Sequence, residues 1–377
     1  MIAVAIVALA LPTPLGTRIA ATLQGTEIRD RIAIYEGALG AIAARPVFGF
    51  GVDGFGVAYP AVRTAESATF GADRWTSSAH NWILQLVATT GVVGLATFVA
   101  LLGATALALW RGLARSPAVA GAVLLSLSAY LAQGLVTVGS ISIDWLPWLA
   151  VGAAAAVSGS GLPSSVPRPL PSLAQAAVLG VAILVALGGL NASDANRAAK
   201  DAYVGRDRVG AALRTVRLDP GRALHWRLLG LAYADRQQWR EAADAHAESV
   251  RLAPYRSDAW ISLARARAEL ALSGDPAARE GSLSAAREGI RQDPHEPAAR
   301  IGLAEVALEL GEYDLALSEA VAAIKLLPTE PRYDDVAAAA AARASDRAAA
   351  RRSLEDALAL KDSGTLRTAL SRLSAGQ

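Results

Sequence analysis

An all-α protein is predicted, with polytopic transmembrane helices followed by an α-solenoid of helix pairs. Three observations predict it. Hydrophobic residues make up 53% of the 377-residue chain and charged residues only 19%, against ~45–50% and ~25% in a soluble domain. The apolar excess is concentrated in the first half, in uncharged runs of membrane-spanning length. In the second half prolines recur at Pro220, Pro254, Pro294 and Pro328, with gaps of 34, 40 and 34 residues, the spacing of stacked helix pairs.

Five apolar segments are candidate spans. The first, Ile2 to Leu15, is short and interrupted by Pro12 and Pro14. The second runs uncharged from Trp82 to Trp110, longer than a ~30 Å hydrocarbon core needs at ~1.5 Å per residue, with a tryptophan for each interfacial belt. The third is Pro117 to Gly139, and the fourth runs from about Ile141 to Ser158, with Asp144 near its mouth and Trp145 and Trp148 beside it. A Pro/Ser/Gly stretch over 159–172 reads as a linker, and Leu173 to Leu190 as the fifth span. The short turn from Arg111 to Ser116 holds two arginines and no acid, which places it in the cytoplasm. Residues 16–80 then form a long outer loop, whose own arginines count for little at that length. Four crossings return the repeat half to the same outer face, and a re-entrant fourth segment would invert the assignment. Met1 opens directly into an apolar run without a basic n-region, so a truncated polytopic protein is expected in preference to a signal peptide.

The chain lacks cysteine, which removes disulfides, thiolate catalysis and sulfur-ligated metals. Net charge is only +2, and nucleic acid is not an expected partner.

In the second half, Trp226, Leu229, Gly230 and Tyr233 stand at the spacings of a first-helix signature, followed by Ala242 and Pro254. This region resembles tetratricopeptide repeats over about Asp201 to Leu360, with a repeat domain expected at 201–377. His246 and Ser249 occupy the positions usual for an aromatic residue and an alanine. The second unit keeps Trp260, Leu263 and Ala264 and carries six extra residues, expected in the inter-helix turn around Ser273 to Pro276. The third keeps Leu303, Ala304, Ala316, Ala320 and Ala323, and Val336 to Leu360 reads as a degenerate last unit or cap. The resemblance implies a surface that binds a protein partner, not a reaction.

Residues able to carry chemistry cluster in the outer loop. His80, the only histidine before residue 225, opens the second span with Asn81. Upstream lie Arg31 and Tyr35, then Pro46, Gly49 and Gly51. Residues 29–44 space Ile32, Ile34 or Tyr35, Leu39 and Ile42 as the apolar stripe of an amphipathic helix on the membrane surface.

In that order the motifs resemble the C-terminal part of the O-antigen ligase and polymerase family of bacterial membrane glycosyltransferases, over about residues 1–158. Arg31 and Tyr35 match an arginine followed four residues later by a tryptophan, here replaced by tyrosine. Pro46, Gly49 and Gly51 match a Pro-x-x-Gly-x-Gly turn. His80 and Asn81, with Gln85 and Gly91 after them, match a His-Asn pair opening a glycine-containing transmembrane helix. The resemblance implies transfer of an undecaprenyl-pyrophosphate-linked glycan to a hydroxyl of a glycan, lipid or protein acceptor. No metal, nucleotide or other cofactor is implied. His80 and Arg31 are the catalytic candidates: a neutral imidazole accepts the acceptor's proton, and a guanidinium fork suits phosphate oxygens. Arg45, Arg74, Asn81, Tyr35, Gly49 and Gly51 are the substrate-binding candidates.

Plainer readings stand beside these. His80 also reads as an interfacial anchor, Arg31 as the partner of Glu27 or Asp30, Arg45 and Arg74 as headgroup contacts, Gly49 and Gly51 as turn formers, and Gly91 and Gly94 as packing residues. The whole reads as a multi-pass protein of the bacterial inner membrane, with loop 16–80 and the repeats on the extracytoplasmic face in contact with lipid. The alternatives are a non-catalytic, membrane-anchored repeat scaffold with a truncated membrane domain, or a glycan polymerase.

Overall fold

A computed structural model describes residues 26–52, 54–70, 76–135, 146–157, 193–375 and four isolated helical positions, 176, 179, 180 and 183. The first apolar segment, the 159–172 linker, most of the fifth segment, Arg74, Asp144 and Trp145 lie outside the described residues. Those described are helical throughout, with turns between helices and no strand. The chain divides into two compact units, residues 1–70 with 74–167, and residues 71–73 with 168–377.

The first unit contains α1 (Thr26–Ala44), α2 (Phe55–Val62), a 3-10 turn (Ala65–Phe70), α3 (Trp82–Gly112), α4 (Pro117–Gly134) and α5 (Leu146–Val157). Among described residues two helices, α3 and α4, are long and apolar enough to cross a membrane, and α5 is a shorter apolar helix. The apolar stripe expected on α1 divides: Ile32 and Leu39 are exposed, Ile34 and Ile42 pack at the edge of the core, and the buried face is Ala33, Gly37, Ala38 and Ala41. Small side chains let α2 come close: a Cβ on Gly37 would sit 2.6 Å from the Tyr59 ring. Ile32 and Leu39, too large for that close face, point outward.

The α3 span is also not one straight rod. Gly91 has φ +68° and ψ −171°, so helical geometry stops there and restarts. The two arms fold back on each other until Trp82 meets Phe98 edge-on, ring centroids 5.5 Å apart. In a straight helix those residues would be about 24 Å apart.

The second unit begins with a helical stretch over 193–204 and α6 (Arg208–Leu218). Four helix pairs follow: α7 (Ala223–Ala234) with α8 (Trp239–Leu252), α9 (Ser257–Leu272) with α10 (Ala277–Gln292), α11 (Pro297–Glu309) with α12 (Tyr313–Leu326), and α13 (Pro331–Ala341) with α14 (Arg347–Leu360). A last helix, α15 (Gly364–Ser374), packs on α13 and α14. One apolar core runs from Ala242 to Leu366 through all the later pairs, as a solenoid requires when no pair buries its own face. A second cluster joins Ala202, Val209 and Ala212 to Leu229 and Ala232, so a helix pair precedes the first proline-marked repeat.

In the first three pairs the turn before the pair is fastened by the first helix. The Trp226 indole N–H donates to the Pro220 carbonyl at 2.8 Å and the Trp260 indole to Pro254 at 2.7 Å. At the equivalent place in the third unit Arg300 reaches the Pro294 carbonyl. The six extra residues of the second unit are not in the inter-helix turn. Residues 273–276 match 235–238 in length, and the helices are longer instead: α9 has 16 residues against 12 in α7, and α10 has 16 against 14 in α8. The run Ala264 to Leu272 holds only strong helix formers, so the helix continues until Gly274, at φ +107°, ends it.

Candidate functional site

The site is assembled around the break in α3. A helix interrupted at Gly91 strands carbonyls on one arm and N–H groups on the other. Residues 46–51 satisfy both. The Phe50 and Gly51 N–H groups donate to the Ala88 and Thr89 carbonyls at 3.0 and 2.8 Å, while Val92 and Val93 N–H donate to the Pro46 and Val47 carbonyls at 2.9 and 3.4 Å. Such contact needs backbone against backbone. A Cβ on Gly91 would lie 2.0 Å from the Val47 oxygen, and one on Gly49, at φ +65°, 2.4 Å from the Thr89 carbonyl carbon. The space a ligand would need at Gly49 is therefore filled by α3. Gly51, at φ +95°, faces open space.

At the other end of the first arm, the His80 segment is held by its neighbours. Asn81 caps α3, its side-chain oxygen accepting from Ile83 and Leu84 N–H at 2.9 and 3.1 Å, while its amide donates to the Leu135 carbonyl at 3.0 Å. The Trp82 indole donates to the Leu131 carbonyl at 3.1 Å. Gln85, one turn into the helix, accepts from the buried Ala79 N–H at 2.8 Å. His80 itself has φ +53°, the left-handed region that few side chains adopt, and its N–H donates to Ser78 Oγ at 3.2 Å. The Tyr35 hydroxyl, from α1, reaches the Leu135 and His80 carbonyls at 3.4 and 3.5 Å.

This packing sets the protonation of the ring. Partial burial, and secondly the positive charge of Arg31, hold the His80 imidazole below its ordinary pKa of 6.5. It is therefore neutral at pH 7, with a lone pair available for a proton.

Of the residues singled out in the sequence, His80, Arg31, Tyr35 and Asn81 come together at the junction of α1, α3 and the end of α4. Arg45, Gly49 and Gly51 lie at the far end of α1, about 15 Å along the helix from Tyr35 at about 1.5 Å per residue. There the Arg45 guanidinium stacks 4.6 Å over the Phe50 ring. Arg74 lies outside the described residues. One contributor had no assigned role in the sequence reading: Gln85 was noted only as part of a motif, and its bond to Ala79 is a fold-back that spacing does not reveal.

One comparison covers these elements. Residues 1–99 match the O-antigen ligase family. That segment includes the break, the turn that fills it and the His80 cluster. No curated protein matches the chain. Several solved structures resemble its helix pairs. The MamA protein is 19% identical, covering 46% of this chain and 91% of its own, at a TM-score of 0.36. YrrB, described as a TPR protein with an unusual peptide-binding site, is 18% identical over 48% and 90%, at 0.36. A thermophilic TPR protein of Thermus thermophilus is 16% identical over 49% and 99%, again at 0.36. Scores at this level carry no argument about fold, and the repeat architecture rests on the packing described above.

Proposed function

We propose that this chain transfers an undecaprenyl-pyrophosphate-linked glycan to an acceptor hydroxyl at the membrane surface. The observation that carries the reading is His80, held in a left-handed conformation and kept neutral beside Arg31, inside a segment that matches the ligase family. The acceptor oxygen attacks the anomeric carbon and gives its proton to the His80 ring. The bond from that carbon to the pyrophosphate oxygen breaks, and the leaving group departs with the electron pair. Arg31 meets the phosphate oxygens and offsets the charge that develops on them. Neither metal nor nucleotide takes part. Arg45 and Arg74 make secondary contacts with the donor, and Gly51, which faces open space, leaves room for it. Asn81 and Tyr35 act mainly by fixing the His80 segment, since their polar atoms bond to α3 and to the end of α4.

In this reading residues 1–158 are a multi-pass domain of the bacterial inner membrane, 173–190 add a further crossing, and 16–80 and the repeat domain at 201–377 lie outside the cytoplasm. The repeats bind a protein partner of the assembly pathway. His80→Ala in the full-length protein tests the reaction, with transfer from a lipid-linked donor measured in proteoliposomes. A loss of about 10²-fold or more is expected for a general base. Transfer at the normal rate would remove His80 from the mechanism and leave a membrane-anchored scaffold as the better description.

A further inference from the structure

Arg45 to Val52 form the turn at the break in α3, here called the apex, and their side chains are unusually apolar for a turn in water. Val47 is 49% exposed, Phe48 74% and Val52 91%, and the adjoining residues Val92 and Val93 are 50% and 44% exposed. These side chains form one surface, because the Val92 and Val93 N–H groups bond to the Pro46 and Val47 carbonyls. Beside it stands the exposed Arg45, stacked on Phe50. From Val92 the second arm of α3 runs uncharged to Trp110, 69% exposed, with Arg111 next in sequence. At about 1.5 Å per residue the distance from Val92 to Gly112 is about 30 Å, the thickness of a hydrocarbon core. With Trp110 and Arg111 at one boundary, Val92 and the apex meet the other.

We propose that the apex segment Arg45–Val52 is a lipid-interface anchor. Phe48 and Val52 enter the edge of the acyl region, and Arg45 meets lipid phosphates. The reading rests on the membrane placement proposed above and sharpens it in one respect. The His80 segment is tied to the Leu135 carbonyl, at the end of α4, through the Asn81 amide and the Tyr35 hydroxyl. At about 1.5 Å per residue α4 rises about 27 Å from Pro117, which brings His80 to the same boundary as the apex, where a lipid-borne pyrophosphate lies.

The cysteine-free chain allows single-site labelling without other changes. Phe48→Cys, Val52→Cys, Leu107→Cys and Gln237→Cys, each in the full chain, carry an environment-sensitive fluorophore in proteoliposomes. Quenching is read with aqueous iodide and with lipids bearing nitroxide at shallow or deep positions. Labels at 48 and 52 should respond to the shallow lipid quencher and be several-fold less sensitive to iodide than the label at 237, which lies in the repeats. Iodide quenching at 48 and 52 equal to that at 237 overturns the anchor. So does silence towards both quenchers, which would mean that protein covers the apex, and so does stronger quenching by the deep lipid. The label at 107 separates the two readings. If it responds to the deep quencher while 48 and 52 do not respond to the shallow one, only the anchor fails. If it is insensitive to lipid, the membrane placement itself fails.

Discussion

The two units make helices in opposite ways. In the repeat unit each helix packs mainly on the next in the chain, and the fastening bonds are short in sequence, as from Trp226 to Pro220 and from Trp260 to Pro254. In the first unit the deciding bonds span long stretches of chain: Phe50 to Ala88, Trp82 to Leu131, and Asn81 to Leu135. A local array can lengthen a helix, as α9 and α10 do, and keep its plan. A unit built on a broken helix and a distant turn tolerates little change at the junction. That rigidity is what holds His80 in a conformation its backbone would not choose alone.

The largest contrast between the units should appear at glycine. Gly91→Ala places a Cβ against backbone at positive φ, with nothing flexible to yield. A loss of about 3–5 kcal/mol in the first unit is expected, seen as faster hydrogen exchange over 46–51 and 82–93 with the repeats unchanged. Gly281→Ala, inside α10, comes no closer than 3.5 Å to the flexible Arg267 side chain, in a helix where alanine is favoured by about 1 kcal/mol. Its net effect should stay within about 1 kcal/mol. Comparable losses at the two sites would mean that the distinction between local and distant packing is mistaken.

Acid should separate the units next. Burial, and then the Arg227 charge, lower the His246 pKa from 6.5 to about 4. Between those values the unfolded chain takes up a proton that the folded array excludes. Stability is therefore full above pH 6.5, falls as the pH drops towards 4 and levels off below it. The change amounts to about 3 kcal/mol for this one group, and a melting curve of the repeat unit against pH measures it. A flat profile between pH 7 and pH 4 would remove His246 as a buried neutral group.

The smallest effect sharpens the account of the site. Gln85→Ala removes the acceptor of the Ala79 N–H and should lower kcat about tenfold, equivalent to about 1.4 kcal/mol, with KM little changed. Gln85→Glu keeps an acceptor oxygen and should recover most of the rate. Equal loss in both variants would show that packing, not the hydrogen bond, is what the position supplies.

Much of this was legible in the sequence, for reasons that differ by region. The repeats were readable because their proline spacing and their Trp, Leu and Gly positions report contacts that recur within one or two helices. The insertion was misplaced because a count of extra residues does not say whether a helix or a turn absorbs them. The order of Arg31, Pro46 to Gly51 and His80 was visible, since residue types and their order are read directly along the chain. The face α1 buries was not, because Ala33, Gly37, Ala38 and Ala41 carry too little apolar weight to outscore Ile32 and Leu39.

By itself the sequence determined an all-helical chain, an apolar half followed by an array of helix pairs, and a His-Asn pair at the start of an apolar helix. Composition and periodicity carry those facts because burial against a neighbour repeats along the chain. Only the tertiary structure decided that the helix breaks at Gly91, that residues 46–51 supply its missing hydrogen bonds, and that Trp82 folds back to Phe98. Those outcomes depend on single backbone groups meeting across dozens of residues, and a contact made once leaves no period to read.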